Sequence, residues 1–94
     1  MERLKLAVEH LHQCSARHCM SVPLHEERDG RTVWDGAVEV FDITGNPKAH
    51  VCFAWLNRTS DSDERFVAVL GIPPVVSPVM AVRVAIAAEA KNLE

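Results

Sequence analysis

The sequence has no glycine-rich phosphate loop, no Gly-x-Ser-x-Gly elbow and no P-loop, which removes the common phosphate cradles and the strained serine nucleophile from consideration. Cys-x-x-Cys and His-Glu-x-x-His are also missing, and with them the familiar zinc spacings. Charge of one sign is lacking: 10 Lys and Arg face 13 Asp and Glu, for a net charge of -3. Non-specific nucleic-acid affinity comes from clustered cations, so this balance argues against a phosphate-binding surface. No apolar run reaches membrane-spanning length, because Pro73-Pro74 and Arg83 interrupt the C-terminal stretch. Internal repeats and low-complexity tracts are absent too.

What is present is the composition of one small domain, taken as residues 1–94. Cys14, Cys19 and Cys52 make an odd set, which suits reduced thiols in a cytoplasm better than a disulfide framework. The start, Met1 to Leu6, is too charged for the apolar core of a signal peptide, and a cytoplasmic location is expected.

Asp29 to Leu56 is the most informative stretch. Asp29-Gly30 and Thr44-Gly45-Asn46-Pro47 are turn signals around two strand-like runs. Before it, Leu4, Ala7, Val8 and Leu11 fall at helical spacing, predicting a helix over 2–14. An edge strand is expected over 18–27, carrying Pro23. The run 31–43 has apolar residues on both parities. Either both of its faces are covered, or a bulge near Gly36 or Phe41 switches the parity. In the third run Ala49, Val51, Phe53 and Trp55 take one side, and Lys48, His50 and Cys52 the other. The loop from Arg58 to Glu64 reads as exposed. Phe66 to Leu70 is apolar on both faces, as in a central or doubly covered strand.

Ser77-Pro78 then opens a helix to about Asn92, with Ser77 as N-cap and Pro78 at the first helical position. Its stripe is Val79, Val82, Ile86, Ala90 and Leu93, widened by Met80, Val84 and Ala87. The expected fold class is α+β in the order α-β-β-β-β-α: a four-stranded antiparallel meander between two helices, both on one sheet face.

Three constellations could carry chemistry. His10, Cys14 and His18, four apart in sequence, are the metal-ligand candidates, but their spacing matches no common site and no metal or cofactor is expected. His50 and Cys52 share a strand face at a separation of about 7 Å, long for a nucleophile and its base. Asp35 and Glu39 share a parity, as a solvated strand face would. No catalytic residue is assigned. Trp34, Trp55, His50 and Cys52 are the interface or pocket candidates, the tryptophans because both flank turns.

The segment Val33 to Ala49, with Phe66 to Leu70 and Pro73-Pro74, resembles a family of small bacterial proteins, some carried as integron gene cassettes or beside mobile elements. That resemblance covers the chain from about Leu11 onward and implies a bacterial cytosolic domain, with no functional residues to carry over. The order helix, antiparallel meander, helix is also similar to the double-stranded-RNA-binding domain. That family places a lysine-rich cluster at the start of its last helix; the matching positions here, 77–82, hold no lysine.

The expected function is a non-enzymatic binding or assembly module that self-associates as a homodimer, through the sheet face left uncovered or through the broad apolar face of the last helix, because its apolar residues exceed what one covered sheet face needs. Alternatives are a small enzyme or small-ligand-binding protein with a pocket between sheet and helices and, third, nucleic-acid binding. The expected partners are a second copy of the chain and a protein or small molecule not identified by sequence, with neither membrane nor nucleic acid among them.

Overall fold

The computed structural model describes residues 2–58 and 64–92. The elements are α1 (Glu2–His12), β1 (Ser15–Arg28), β2 (Arg31–Thr44), β3 (Val51–Arg58), β4 (Glu64–Leu70) and α2 (Pro78–Asn92). The strands form one antiparallel sheet in the order β1-β2-β3-β4, the expected meander.

Local chemistry sets the boundaries. Helix α1 stops earlier than its apolar spacing suggests, because Gln13 takes a left-handed conformation at φ 48°. The Cys14 N–H then reaches back to the Glu9 carbonyl at 3.2 Å, a Schellman closure. Asp29 and Gly30 both have positive φ, 54° and 77°, as the tight hairpin between β1 and β2 requires. Beyond Gly45, the Asn46 side chain accepts from the Lys48 and Ala49 N–H groups at 2.8 and 3.1 Å and folds the chain toward β3. Helix α2 starts as expected, with the Met80 N–H donating to Ser77 Oγ at 3.3 Å.

The helices do not share a sheet face. Leu4 and Val8 of α1 pack with Ala16, Phe41, Ile43, Cys52 and Ala54, joined by Phe66, Ala68 and Leu70. Ala81 and Val82 of α2 pack with Val38, Phe53, Trp55 and Val75, joined by Val40, Val67 and Val69. Successive residues of β2, β3 and β4 thus enter opposite layers, and α1 and α2 cover opposite faces. This corrects the expectation of both helices on one face and removes the uncovered sheet face, one of the two surfaces through which self-association was expected.

The two apolar parities of β2 therefore reflect double cover, while the register shifts leave one extra residue in each strand of the hairpin, Cys19 in β1 and Val33 in β2. Strand β4 is covered on both faces but stands at the sheet edge. On β3, Cys52 and Ala54 face α1 while Val51, Phe53 and Trp55 face α2. Ala49 joins the α1 layer, opposite to its expected side. On α2 the buried residues are Ala81 and Val82, with Ala85 and Ile86 packed beside them, whereas Val84 is exposed. Residues 59–63 of the expected exposed loop, and the side chains of Ala90 and Leu93 in the expected stripe, lie outside what is described.

Candidate binding groove and sheet edge

Strands β1 and β2 run 14 residues each, whereas β2 pairs with β3 only from Glu39 to Asp42. The far half of the hairpin therefore projects beyond β3 as a two-stranded arm. Glu26 and Trp34 stand opposite each other on that arm. Arg83 of α2 donates to Glu26 Oε1 at 2.7 Å, holding the arm against the helix. Trp34 meets Trp55 edge to face, ring centroids 5.7 Å apart. The Trp34 ring also lies over Gly36, where an added Cβ would come within 3.3 Å of it.

A groove of about 410 Å³ opens beside this pair. Its floor follows from the β3–β4 register: Val69, then Trp55 opposite Val67 and Asn57 opposite Arg65. The same-face rows run from apolar to polar and end on an amide and a guanidinium. Val84, Ala85 and Ile86 of α2 form one wall, and Trp34 forms part of the other. Arg65 makes no ion pair or hydrogen bond among the described residues. Its neighbour Glu64 reaches Arg3 at 3.6 Å.

The outer edge of β4 adjoins the groove. The Gly71 N–H donates to the Val51 carbonyl at 2.8 Å, which sets the alternation along the antiparallel pair. Residues 65, 67 and 69 exchange hydrogen bonds with β3, and Phe66, Ala68 and Leu70 direct their N–H and C=O groups outward. His12 Nε2 lies 3.4 Å from the Ala68 carbonyl on that outer side.

The structure does not assemble the metal-ligand candidates. His10 is exposed on α1, Cys14 is half-buried after its last turn, and His18 on β1 pairs with Glu39 at 2.8 Å. Among the described residues no three His, Cys, Asp or Glu side chains gather as a metal site. His50 is exposed, whereas Cys52 is buried under α1 with its thiol pushed up to about 12 by burial and by Cys14. The two do not cooperate. Glu39 also receives the Ser21 hydroxyl, and Asp35 lies 3.5 Å from His25 Nδ1, so these carboxylates are engaged separately. Trp34 and Trp55 do come together. Asn57, Arg65 and the α2 wall escaped the sequence reading, although strand parity was the available signal for the first two.

No protein-family model matches the chain, and no curated protein and no solved structure does either.

Proposed function

We propose that the chain is a non-enzymatic binding and assembly module that self-associates through the outer edge of β4 as a symmetric homodimer. The observation that carries this reading is the contrast between the two sheet edges. Strand β1 has a bulge at Cys19, Pro23, and charged residues at Arg17, Glu26, Glu27 and Arg28. Those are the devices by which edge strands avoid pairing. From Phe66 to Leu70, β4 has none of them.

The sequence of β4 is self-complementary in one antiparallel register. With the two-fold axis at Ala68, Phe66 faces Leu70 of the second copy and Val67 faces its Val69. The charged Glu64 and Arg65 fall outside the paired region. The outward N–H groups of Phe66, Ala68 and Leu70 then supply the ladder, as in β-augmentation, with the Ala68 carbonyl exchanging His12 for the second copy and the Leu70 carbonyl already accepting from the Ile72 N–H at 2.9 Å. Leu11 and Val84, 56% and 46% exposed, flank the edge groove and extend its apolar surface.

A bacterial cytosolic setting accompanies this reading, resting on the odd cysteine count and the family resemblance. Among the described residues no helix is long and apolar enough to cross a membrane. A small-ligand reading is favoured by a separate observation, the groove at Trp34 and Trp55. Nucleic-acid binding draws no comparable support: Arg3 lies on α1 beside Glu64, Arg17 pairs with Asp42 at 2.9 Å, and Arg28 sits at the arm's tip.

Sedimentation of the wild type and Ala68→Pro tests the proposal. The Ala68 N–H points away from β3, so proline there spares the internal ladder and blocks the external one. A dimer for the wild type and a folded monomer for Ala68→Pro is the expected pair of results. A wild type sedimenting solely as a 10.4 kDa species at micromolar concentration overturns it.

A further inference from the structure

We propose that the Trp34–Trp55 groove binds a small apolar acid, a molecule with an aromatic body and one carboxylate or similar anionic group. The groove's inner part lies on the α2 side of the sheet, whereas Leu11, Phe66 and Ala68 at its rim adjoin the β4 edge. Its inner part is lined by Trp34, Trp55, Val67, Ala85 and Ile86, and its volume of about 410 Å³ falls in the range of small-molecule sites. The tryptophan planes meet at 80°, so one ring can present a face and the other an edge to an aromatic guest.

The chemistry at the other end sets the charge. Asn57 and Arg65 face each other across β3 and β4 at the close of the apolar rows. Glu64, next to Arg65 in sequence, lies on the strand's other parity and reaches Arg3. The Arg65 guanidinium, without a carboxylate partner among the described residues, is left to receive one. Its planar fork matches a carboxylate in bidentate fashion, and the Asn57 amide adds a neutral donor. A neutral apolar guest would fill the inner part and leave this end unused. A cation would meet Arg65 at the mouth.

The test uses two fluorescent probes of similar shape, the anion 8-anilinonaphthalene-1-sulfonate and the uncharged N-phenyl-1-naphthylamine. The chain has 2 tryptophans, so quenching of their emission reports occupancy of the groove. Saturable binding of the anion, tighter than that of the neutral probe, is expected. Arg65→Ala weakens the anion about tenfold and leaves the neutral probe unchanged, and Arg17→Ala, which removes a cation of β1 outside the groove, alters neither. Circular dichroism of each variant confirms that it is folded. The proposal is overturned by an anion affinity unaffected in folded Arg65→Ala, by an equal loss for both probes, or by no saturable quenching. A dissociation constant that varies with protein concentration also overturns it, since the site would then belong to a dimer interface.

Discussion

Trp34 and Trp55 stand edge to face at 5.7 Å, although one lies on the projecting arm and the other in the third strand. Their contact closes the arm onto the body of the domain, together with the Arg83–Glu26 pair. A double-mutant cycle of Trp34→Leu and Trp55→Leu in urea should give a coupling of about 0.5–1.5 kcal/mol beyond the separate losses. Additive losses would mean that the arm does not rest on β3 in solution.

The same side chain should matter differently at two neighbouring α2 positions. Val82 is fully buried against the sheet, whereas Val84 is 46% exposed. Val82→Ala should cost about 1.5–3 kcal/mol, and Val84→Ala should stay within about 0.5 kcal/mol of the wild type. Urea midpoints give the comparison. Equal effects would misplace the helix on the sheet.

Loss of the hydroxyl at the start of α2 should be intermediate. Ser77→Ala removes the acceptor for the Met80 N–H and should cost about 1 kcal/mol, against a few tenths for Ser77→Gly. Thermal or urea unfolding measures both.

Much of this architecture was legible because turn chemistry and strand parity are local. Asp29-Gly30 marked the hairpin, Ser77-Pro78 marked the helix start, and the element order followed. Helix placement is not local. Val40 and Phe41 were visibly both apolar, but only packing shows that each requires its own helix. Cys52 and Ala54 are small, so the α1 layer of β3 looked like a half-polar face. Of the site, the tryptophans could be named. The groove they share depends on the arm folding back, which neither sequence spacing nor composition encodes directly. His10, Cys14 and His18 fell apart as a set because Gln13 ends the helix before Cys14.

Thiol reactivity should follow burial. Cys19 is exposed, while Cys52 is buried and its thiol is pushed up to about 12 by burial and by Cys14. The thiolate is the reactive form, so an aromatic disulfide reagent at pH 8 should label Cys19 first and reach Cys52 only on unfolding. Fast native-state labelling of Cys52 in peptide maps would contradict the α1 layer.

His25 on the arm has its pKa raised above 6.5 by its hydrogen bonds to Glu27 and then Asp35. The folded state thus holds this proton better than the unfolded chain. The resulting stabilisation is complete below about pH 6.5 and disappears as pH rises through the folded-state value. Imidazole chemical shifts should titrate above 6.5, and Glu27→Gln should lower the midpoint. A midpoint unmoved by Glu27→Gln would contradict the pairing.

Self-association through β4 is tested most directly by amide hydrogen exchange at Phe66, Ala68 and Leu70, whose N–H groups point away from β3. In a monomer they face solvent; in the paired edge they are bonded to the second copy. Their exchange should slow as protein concentration rises, with Val67 and Val69 protected throughout by β3. Rapid exchange at all three positions, unchanged from the lowest to the highest concentration, would contradict the paired edge.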